Sequence, residues 1–183
     1  MKSIEIKGTL RSEFGKKGSH AIRKTDSVPC VLYGQGENIH FTVTNDALRN
    51  LVYSPDIFGV NLDIEGKQVK AILKDIQFHP VKDNILHIDF YQVDETKPIA
   101  MEVPVALEGL AEGVKAGGKL TLQLRKIKVK ALFNAIPEKL IINVSKLGLG
   151  KTIQVGELSF EGLELLTAKE AVVCAVKLTR VAR

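Results

Sequence analysis

The chain has 183 residues, of which 45% are hydrophobic and 26% are charged. This composition is typical of a folded protein and excludes a chain that is disordered throughout. No apolar run approaches the roughly 18 residues that a membrane-spanning helix needs. The start, Met1 to Ile6, also lacks the apolar core of a signal peptide. We therefore expect a cytoplasmic protein that has no contact with a membrane.

The net charge of +5 is unevenly distributed along the sequence. Residues 1–24 contain seven basic and two acidic side chains, an excess equal to that of the whole chain. A local excess of cations indicates a contact with a polyanion, and nucleic acid is the usual one. A solvated basic segment without a ligand is the alternative.

The two cysteines, Cys30 and Cys174, are far apart and match no zinc-binding spacing. Each lies in an apolar run, so we expect two small core residues that are reduced. Metal ions and cofactors are not expected.

Alternation of apolar and polar residues dominates the first half of the chain and is typical of half-buried strands. It predicts six strands, over residues 3–10, 28–33, 39–43, 60–64, 69–77 and 85–93. Residues 44–53 have helical spacing instead. Residues 11–27 lose the alternation and predict a basic loop with at most a helical turn at 20–24. The expected fold is mainly β, with a small N-terminal antiparallel β-barrel and one or two short helices.

The polar segment 94–98 ends in a proline and is typical of a linker. It predicts two domains, over residues 1–93 and 94–183. The second is also expected to be β-rich, with short strands over residues 101–107, 120–124, 126–132, 140–144, 153–155 and 171–178. Lys126, Lys128 and Lys130 alternate with apolar residues, so they share one face of a strand. This face is either solvated or a secondary contact with RNA.

Three side chains in the predicted barrel could carry chemistry. His87 and Asp89 are two residues apart in a strand, so they share a face. They could form a general-base pair, contribute to a metal site, hydrogen-bond RNA base edges and 2′-hydroxyls, or make a structural pair. Tyr33 could stack on a base or lie at the barrel rim with its hydroxyl in water.

The order and spacing of several motifs resemble a known family over nearly the whole chain. These motifs are Gly15-Lys16-Lys17-Gly18, Val28 to Gly34, Lys74 to Gln77, His79-Pro80, Leu86 to Phe90, Gly113 to Leu120, Ile136 to Glu138 and Leu147 to Ile153. The family that they resemble is the bacterial large-subunit ribosomal protein that binds 5S ribosomal RNA, in its long two-domain form, also known as the general stress protein Ctc family.

The resemblance implies a non-enzymatic structural component of the large subunit. Its barrel would bind 5S RNA around loop E and stabilise the central protuberance. Its second domain would contact neighbouring ribosomal proteins or 23S ribosomal RNA. An interaction module that acts off the ribosome during stress, through the second domain, is the alternative.

The family's RNA contacts map onto Arg11, Arg23, Tyr33, Gln77, His87 and Asp89. The basic segment adds four further candidates, Lys16, Lys17, His20 and Lys24. The family usually has more arginines than this chain over residues 20–27, where Arg23 and Lys24 are the basic side chains. Lysine lacks the bidentate geometry of arginine, so this segment is expected to bind phosphates mainly as point charges.

Overall fold

The computed structural model describes residues 2–179, so Met1 and residues 180–183 of the two predicted domains lie outside it. The chain divides into two compact units between Lys97 and Pro98. Within residues 2–179, no helix is both long enough and apolar enough to cross a bilayer.

Six strands of the first unit close into a barrel in the order β1-β3-β2-β6-β5-β4. The prediction of a small β-barrel is therefore confirmed. Two of its pairings, β1 with β4 and β2 with β6, are parallel, whereas an antiparallel barrel was expected. Alternation shows which face of a strand is buried but not which way its neighbour runs, so this detail was not predictable. The strands are β1 (Lys2–Leu10), β2 (Ser27–Tyr33), β3 (Ile39–Thr44), β4 (Phe58–Ile64), β5 (Lys67–Phe78) and β6 (Ile85–Gln92).

The barrel interior is filled by one set of alternating side chains from each strand. Phe41 and Phe90 are fully buried, and their ring centroids lie 5.8 Å apart. Cys30 is also fully buried, and this burial raises the pKa of its thiol. Cys174 is fully buried in the second unit. The prediction that both cysteines are small core residues is confirmed.

Two helices accompany the barrel, α1 (Gly15–Lys24) and α2 (Asn45–Val52). Helix α2 was predicted, and in the structure Thr44 occupies its N-cap position. The prediction that residues 11–27 form a basic loop is wrong, because most of that segment is α1. Two glycines and the lack of a side-chain cap hide the helix in the sequence. Glycine at position 18 lets the helix pack closely on the segment before it, because a Cβ there would lie 3.1 Å from the carbonyl oxygen of Glu13.

The second unit contains two sheets, with strand orders β10-β7-β9-β12 and β11-β13-β8. The prediction of a second β-rich domain is confirmed. Helix α3 (Glu112–Lys115) and strand β12 (Glu164–Leu165) were not predicted, because four and two residues are too short to show a period. The other strands are β7 (Ile99–Glu108), β8 (Lys119–Leu122), β9 (Lys126–Ala131), β10 (Leu140–Asn143), β11 (Thr152–Gln154) and β13 (Val172–Lys177), and two 3₁₀ turns lie at Phe133–Ala135 and Val155–Glu157.

The packing of the barrel predicts that Gly8→Ala destabilises the first unit. A Cβ at this position would lie 2.6 Å from the Phe41 ring, which cannot move easily because it packs on Phe90. Overpacking of this kind costs about 1–3 kcal/mol. Tyrosine fluorescence during urea unfolding measures the first unit alone, because the chain has no tryptophan and its three tyrosines, Tyr33, Tyr53 and Tyr91, all precede Lys97.

The control is Lys7→Ala at the neighbouring exposed position, which should change the unfolding free energy by less than about 0.5 kcal/mol. Equal midpoints for Gly8→Ala and the unmodified chain would show that the core has room for a methyl group.

Candidate nucleic-acid interface

The outer surface of strands β2, β5 and β6 has a cluster of polar and aromatic side chains, which we call the polar face. Because Ile88 and Phe90 are buried in the barrel, the alternate residues of β6 point outward. The strand register places Gln77 opposite His87. Strand β2 runs beside β6 on its other edge. The members of the polar face are Tyr33, Asp75, Gln77, His87, Asp89 and Tyr91.

His87 and Asp89 form the centre of the polar face. The imidazole Nδ1 lies 2.7 Å from the carboxylate Oδ1, and the two side chains are 24% and 31% exposed. This contact orients the ring and fixes Nδ1 as the nitrogen that donates to the carboxylate. The imidazole Nε2 and the second carboxylate oxygen are then placed to hydrogen-bond a ligand. Within residues 2–179, no group of three or more His, Cys, Asp or Glu side chains could hold a metal ion.

Tyr33 lies at the end of β2, beside Tyr91 of β6. The two rings meet edge to face, with centroids 5.7 Å apart and planes at 75°. Gly34 follows with a φ of +130°, and a Cβ there would lie 3.0 Å from the Tyr91 ring. Burial, and then the charges of Asp89 and Asp75, raise the pKa of the Tyr33 hydroxyl. The hydroxyl is therefore a protonated donor at neutral pH.

The structure adds two residues that the sequence analysis missed, Asp75 and Tyr91. Asp75 lies opposite Asp89, two residues before Gln77 on the same strand. Tyr91 lies two residues after Asp89. The same period-2 rule that placed His87 and Asp89 on one face would have found both.

Helix α1 concentrates positive charge on one side. With a rotation of about 100° per residue, its five basic or imidazole side chains fall within an arc of about 120°. Gly18 and Ile22 lie on the opposite side, where they are buried and half-buried. We call this element the cationic helix, and the five side chains are Lys16, Lys17, His20, Arg23 and Lys24.

The two lysines in the first turn of the cationic helix oppose the helix dipole. The first turn contains no acidic side chain, and no side chain caps its N–H groups. Positive charge there is unfavourable for the helix but adds to the attraction that free N–H groups exert on anions. Arg23 and Lys24 in the last turn have the favourable orientation instead.

Arg23 connects the cationic helix to the polar face. Its Nε donates a 3.0 Å hydrogen bond to the carbonyl oxygen of Leu86, the residue before His87. The helix also packs on β2. Val28 and Cys30 face the barrel interior, so Pro29 between them lies on the outer surface, and yet it is buried. Packing of the helix on β2 accounts for this burial. The predicted phosphate-binding and hydrogen-bonding side chains therefore lie on one side of the barrel.

Arg11 differs from the other predicted site residues because its guanidinium is held within the protein. Its Nη2 donates to the carbonyl oxygen of Glu13 and to Ser19 Oγ, both at 3.2 Å. The guanidinium also lies 5.9 Å from the centre of the Phe14 ring. These contacts bridge the segment before α1 to the first turns of the helix. Arg11 thus stabilises the start of the cationic helix.

The three lysines of β9 share an outward face, as their alternation suggested. Two of them lie beside acidic side chains: Lys128 Nζ is 3.6 Å from Glu102, and Lys130 Nζ is 3.4 Å from Glu164. Much of the positive charge of this face is therefore neutralised within the second unit.

The fold and this interface define a class of protein: two β domains, the first with a cationic helix beside an open polar sheet face. Comparison with known proteins shows to which family a protein of this class belongs. Residues 6–90 match the Ribosomal L25p family, and residues 98–180 match the C-terminal domain of ribosomal protein TL5. The chain belongs to the ribosomal L25p family, in its two-domain form.

Curated relatives align over the full length of the chain. It is 74% identical to a protein of Bacteroides thetaiotaomicron and 66% identical to one of Porphyromonas gingivalis, and it covers 96% of each. Identity to a protein of Parabacteroides distasonis is 59%, with 97% of that protein covered. All three are named large ribosomal subunit protein bL25. The family is structural and non-enzymatic, so the general-base interpretation of His87 and Asp89 is excluded.

The contacts of Arg11 predict that Arg11→Lys loosens the start of α1 while the barrel stays folded. Lysine retains the charge, but its shorter side chain does not reach as far as Nη2, which bonds to Glu13 and Ser19, and it lacks the guanidinium plane that lies beside the Phe14 ring. Amide hydrogen exchange should become faster over residues 15–19, and the urea midpoint from tyrosine fluorescence should change little.

Lys16→Gln is the control, because it alters charge in the same helix at an exposed position. If amide exchange over residues 15–19 is equally fast in Arg11→Lys and in the control, Arg11 does not stabilise the start of α1.

Proposed function

We propose that the protein binds 5S ribosomal RNA around loop E and stabilises the central protuberance of the large ribosomal subunit. Membership of the ribosomal L25p family supports a structural role in that subunit. The location follows from the role: the protein is cytoplasmic and bound to the ribosome. Its first unit would be the part that holds the 5S RNA.

The observation that carries this proposal is the Arg23–Leu86 hydrogen bond. It places the cationic helix beside the strand that carries His87 and Asp89. Cations that contact phosphates position a protein on RNA, while groups that contact base edges and 2′-hydroxyls distinguish one RNA from another. An RNA helix that lies across both elements would meet both kinds of group.

The polar face fits the minor groove of an RNA helix. That groove is wide and shallow and exposes 2′-hydroxyls and base edges, whereas the major groove is too deep and narrow for side chains. Tyr33 would donate a hydrogen bond, Asp89 and the Nε2 of His87, whose ring proton lies on Nδ1, would accept them, and Gln77 could do both. Such a mixed set suits the irregular edges of non-Watson–Crick pairs better than a row of cations does.

The direct test measures binding of the full-length protein to 5S RNA over a series of salt concentrations. An unrelated RNA of equal length is the reference. We expect a preference for 5S RNA that persists as salt rises, because shape-specific contacts do not depend on counterion release. Equal and steeply salt-dependent binding to both RNAs would reduce the interface to a general cation patch.

The cationic helix predicts that Lys16→Gln or Lys17→Gln weakens binding to both RNAs by a similar factor. Each lost phosphate contact should lower the slope of log affinity against log salt by about 0.7–0.9. The control is Lys67→Gln, which lies ten residues before Gln77 on β5, about 33 Å away along the strand. The helix has no role in phosphate binding if all three variants keep the slope of the unmodified protein.

The polar face predicts that Asp89→Asn selectively weakens binding to 5S RNA. A buried hydrogen bond to a charged acceptor contributes about 1.5–3 kcal/mol, or about 10- to 150-fold in affinity. Glu5→Gln is the control, because it removes the same charge from an exposed position on β1. Tyrosine fluorescence during unfolding verifies that both variants fold. Unchanged 5S affinity in Asp89→Asn would exclude this carboxylate from the interface.

A further inference from the structure

The second unit has a net positive charge of its own. Residues 98–183 contain 13 basic and 8 acidic side chains, an excess of five. The excess is not apparent from the whole chain, because residues 25–97 contain six basic and eleven acidic side chains. The sheets of the second unit show where part of this charge is exposed.

Two lysines face each other directly across the three-stranded sheet. Lys119 of β8 lies opposite Lys177 of β13, and both are exposed. Directly opposed side chains have Cβ atoms about 4.5–5.5 Å apart, and like charges in this arrangement are destabilising. Within residues 2–179, neither lysine forms an ion pair.

The three strands of this sheet supply no charge that compensates the lysine pair. Strands β8, β11 and β13, as described over residues 119–122, 152–154 and 172–177, contain no acidic residue. On the other side of β13, the N–H of Gly150 donates to the carbonyl oxygen of Val176. A Cβ at Gly150 would meet nothing within 4 Å, so the space at this residue is open, and Lys177 itself is exposed.

A hydroxyl group also lies on this face. Thr152 is exposed and lies opposite Ala175, which is two residues before Lys177 and therefore shares its face. Two ammonium groups and one hydroxyl are donors that suit phosphate oxygens. The lysine row on β9 has its charges beside Glu102 and Glu164, and so it differs from this pair.

We infer that Lys119 and Lys177 bind phosphates of ribosomal RNA, independently of the cationic helix. The repulsion between them is a cost to folding that a bound phosphate would remove. RNA is the occupant that fits, because the charge is positive, the face is open, and the chain belongs to a ribosomal protein family. This surface goes beyond the proposed binding of 5S RNA and does not depend on it.

The experiment titrates the full-length protein, alone and in the presence of excess 5S RNA, with protein-free 23S ribosomal RNA over a salt series. In Lys119→Gln/Lys177→Gln, the slope of log affinity against log salt should fall by about 1.5. Affinity for 5S RNA should be unchanged. Lys119→Arg/Lys177→Arg should retain the slope, because arginine keeps the charge.

The matched control is Lys128→Gln/Lys130→Gln, which removes the same two charges from β9. An equal loss of slope in the control would mean that overall charge alone matters, and this would overturn the inference. An unchanged slope in Lys119→Gln/Lys177→Gln would also overturn it. Weaker binding of that variant to the RNA-free protein fraction of the large subunit, with the 23S slope unchanged, would assign the surface to an acidic protein instead.

Amide exchange separates these outcomes from misfolding. Because the substitution removes a like-charge repulsion, exchange over β8 and β13 should be as slow as in the unmodified protein or slower. Faster exchange there would mean that the double variant is misfolded. The 23S titration is then made with the single variants Lys119→Gln and Lys177→Gln, each of which should lower the slope of log affinity against log salt by about 0.7–0.9.

Discussion

The closure of the six-stranded barrel is the constraint on which the interface depends. A closed barrel has one inside, so every strand must point one set of alternate residues inward. Once Ile88 and Phe90 are buried, His87 and Asp89 have no alternative to the outer surface. A shift of one residue in β6 would exchange the two sets and bury a carboxylate. The core residues therefore determine which side chains a ligand can meet.

The proposed binding of RNA would separate attraction and selection between two elements of the first unit. The polar face has two carboxylates in opposed positions, Asp75 and Asp89, which by themselves repel a polyanion. In the proposed interface the cationic helix would supply the attraction, and two arginines hold it in place. Arg11 bonds to the segments that begin the helix, and Arg23 bonds to the backbone of β6. The acceptors are the backbone carbonyls of Glu13 and Leu86 and the hydroxyl of Ser19, so the position of the helix does not depend on the side chains of the polar face.

The sequence was sufficient for the parts of the structure that obey a simple period. Alternation located all six barrel strands and placed His87 with Asp89, and apolar context identified both cysteines as core residues. It could not give strand direction, so the parallel β2–β6 pairing that brings Tyr33 beside Tyr91 was not foreseen. Helix α1 was missed because its two glycines lower the intrinsic helix propensity, while its packing on β2 and the Arg23–Leu86 hydrogen bond involve residues distant in the sequence. The basic and imidazole side chains of α1 do recur with the period of a helix, and this sequence signal could have revealed the helix.

Charge counts along the chain were informative but incomplete, because electrostatic attraction acts over a short range. Residues 1–97 contain 13 basic and 13 acidic side chains, so the first unit has no net charge. At physiological ionic strength the Debye length is about 8 Å, so distant charges on the barrel are largely screened from a ligand at the cationic helix. An RNA bound as proposed would meet the local arc of five side chains. The same reasoning applies to Lys119 and Lys177, whose strands contain no acid. Placement on a common face, more than the total charge, determines where a polyanion binds.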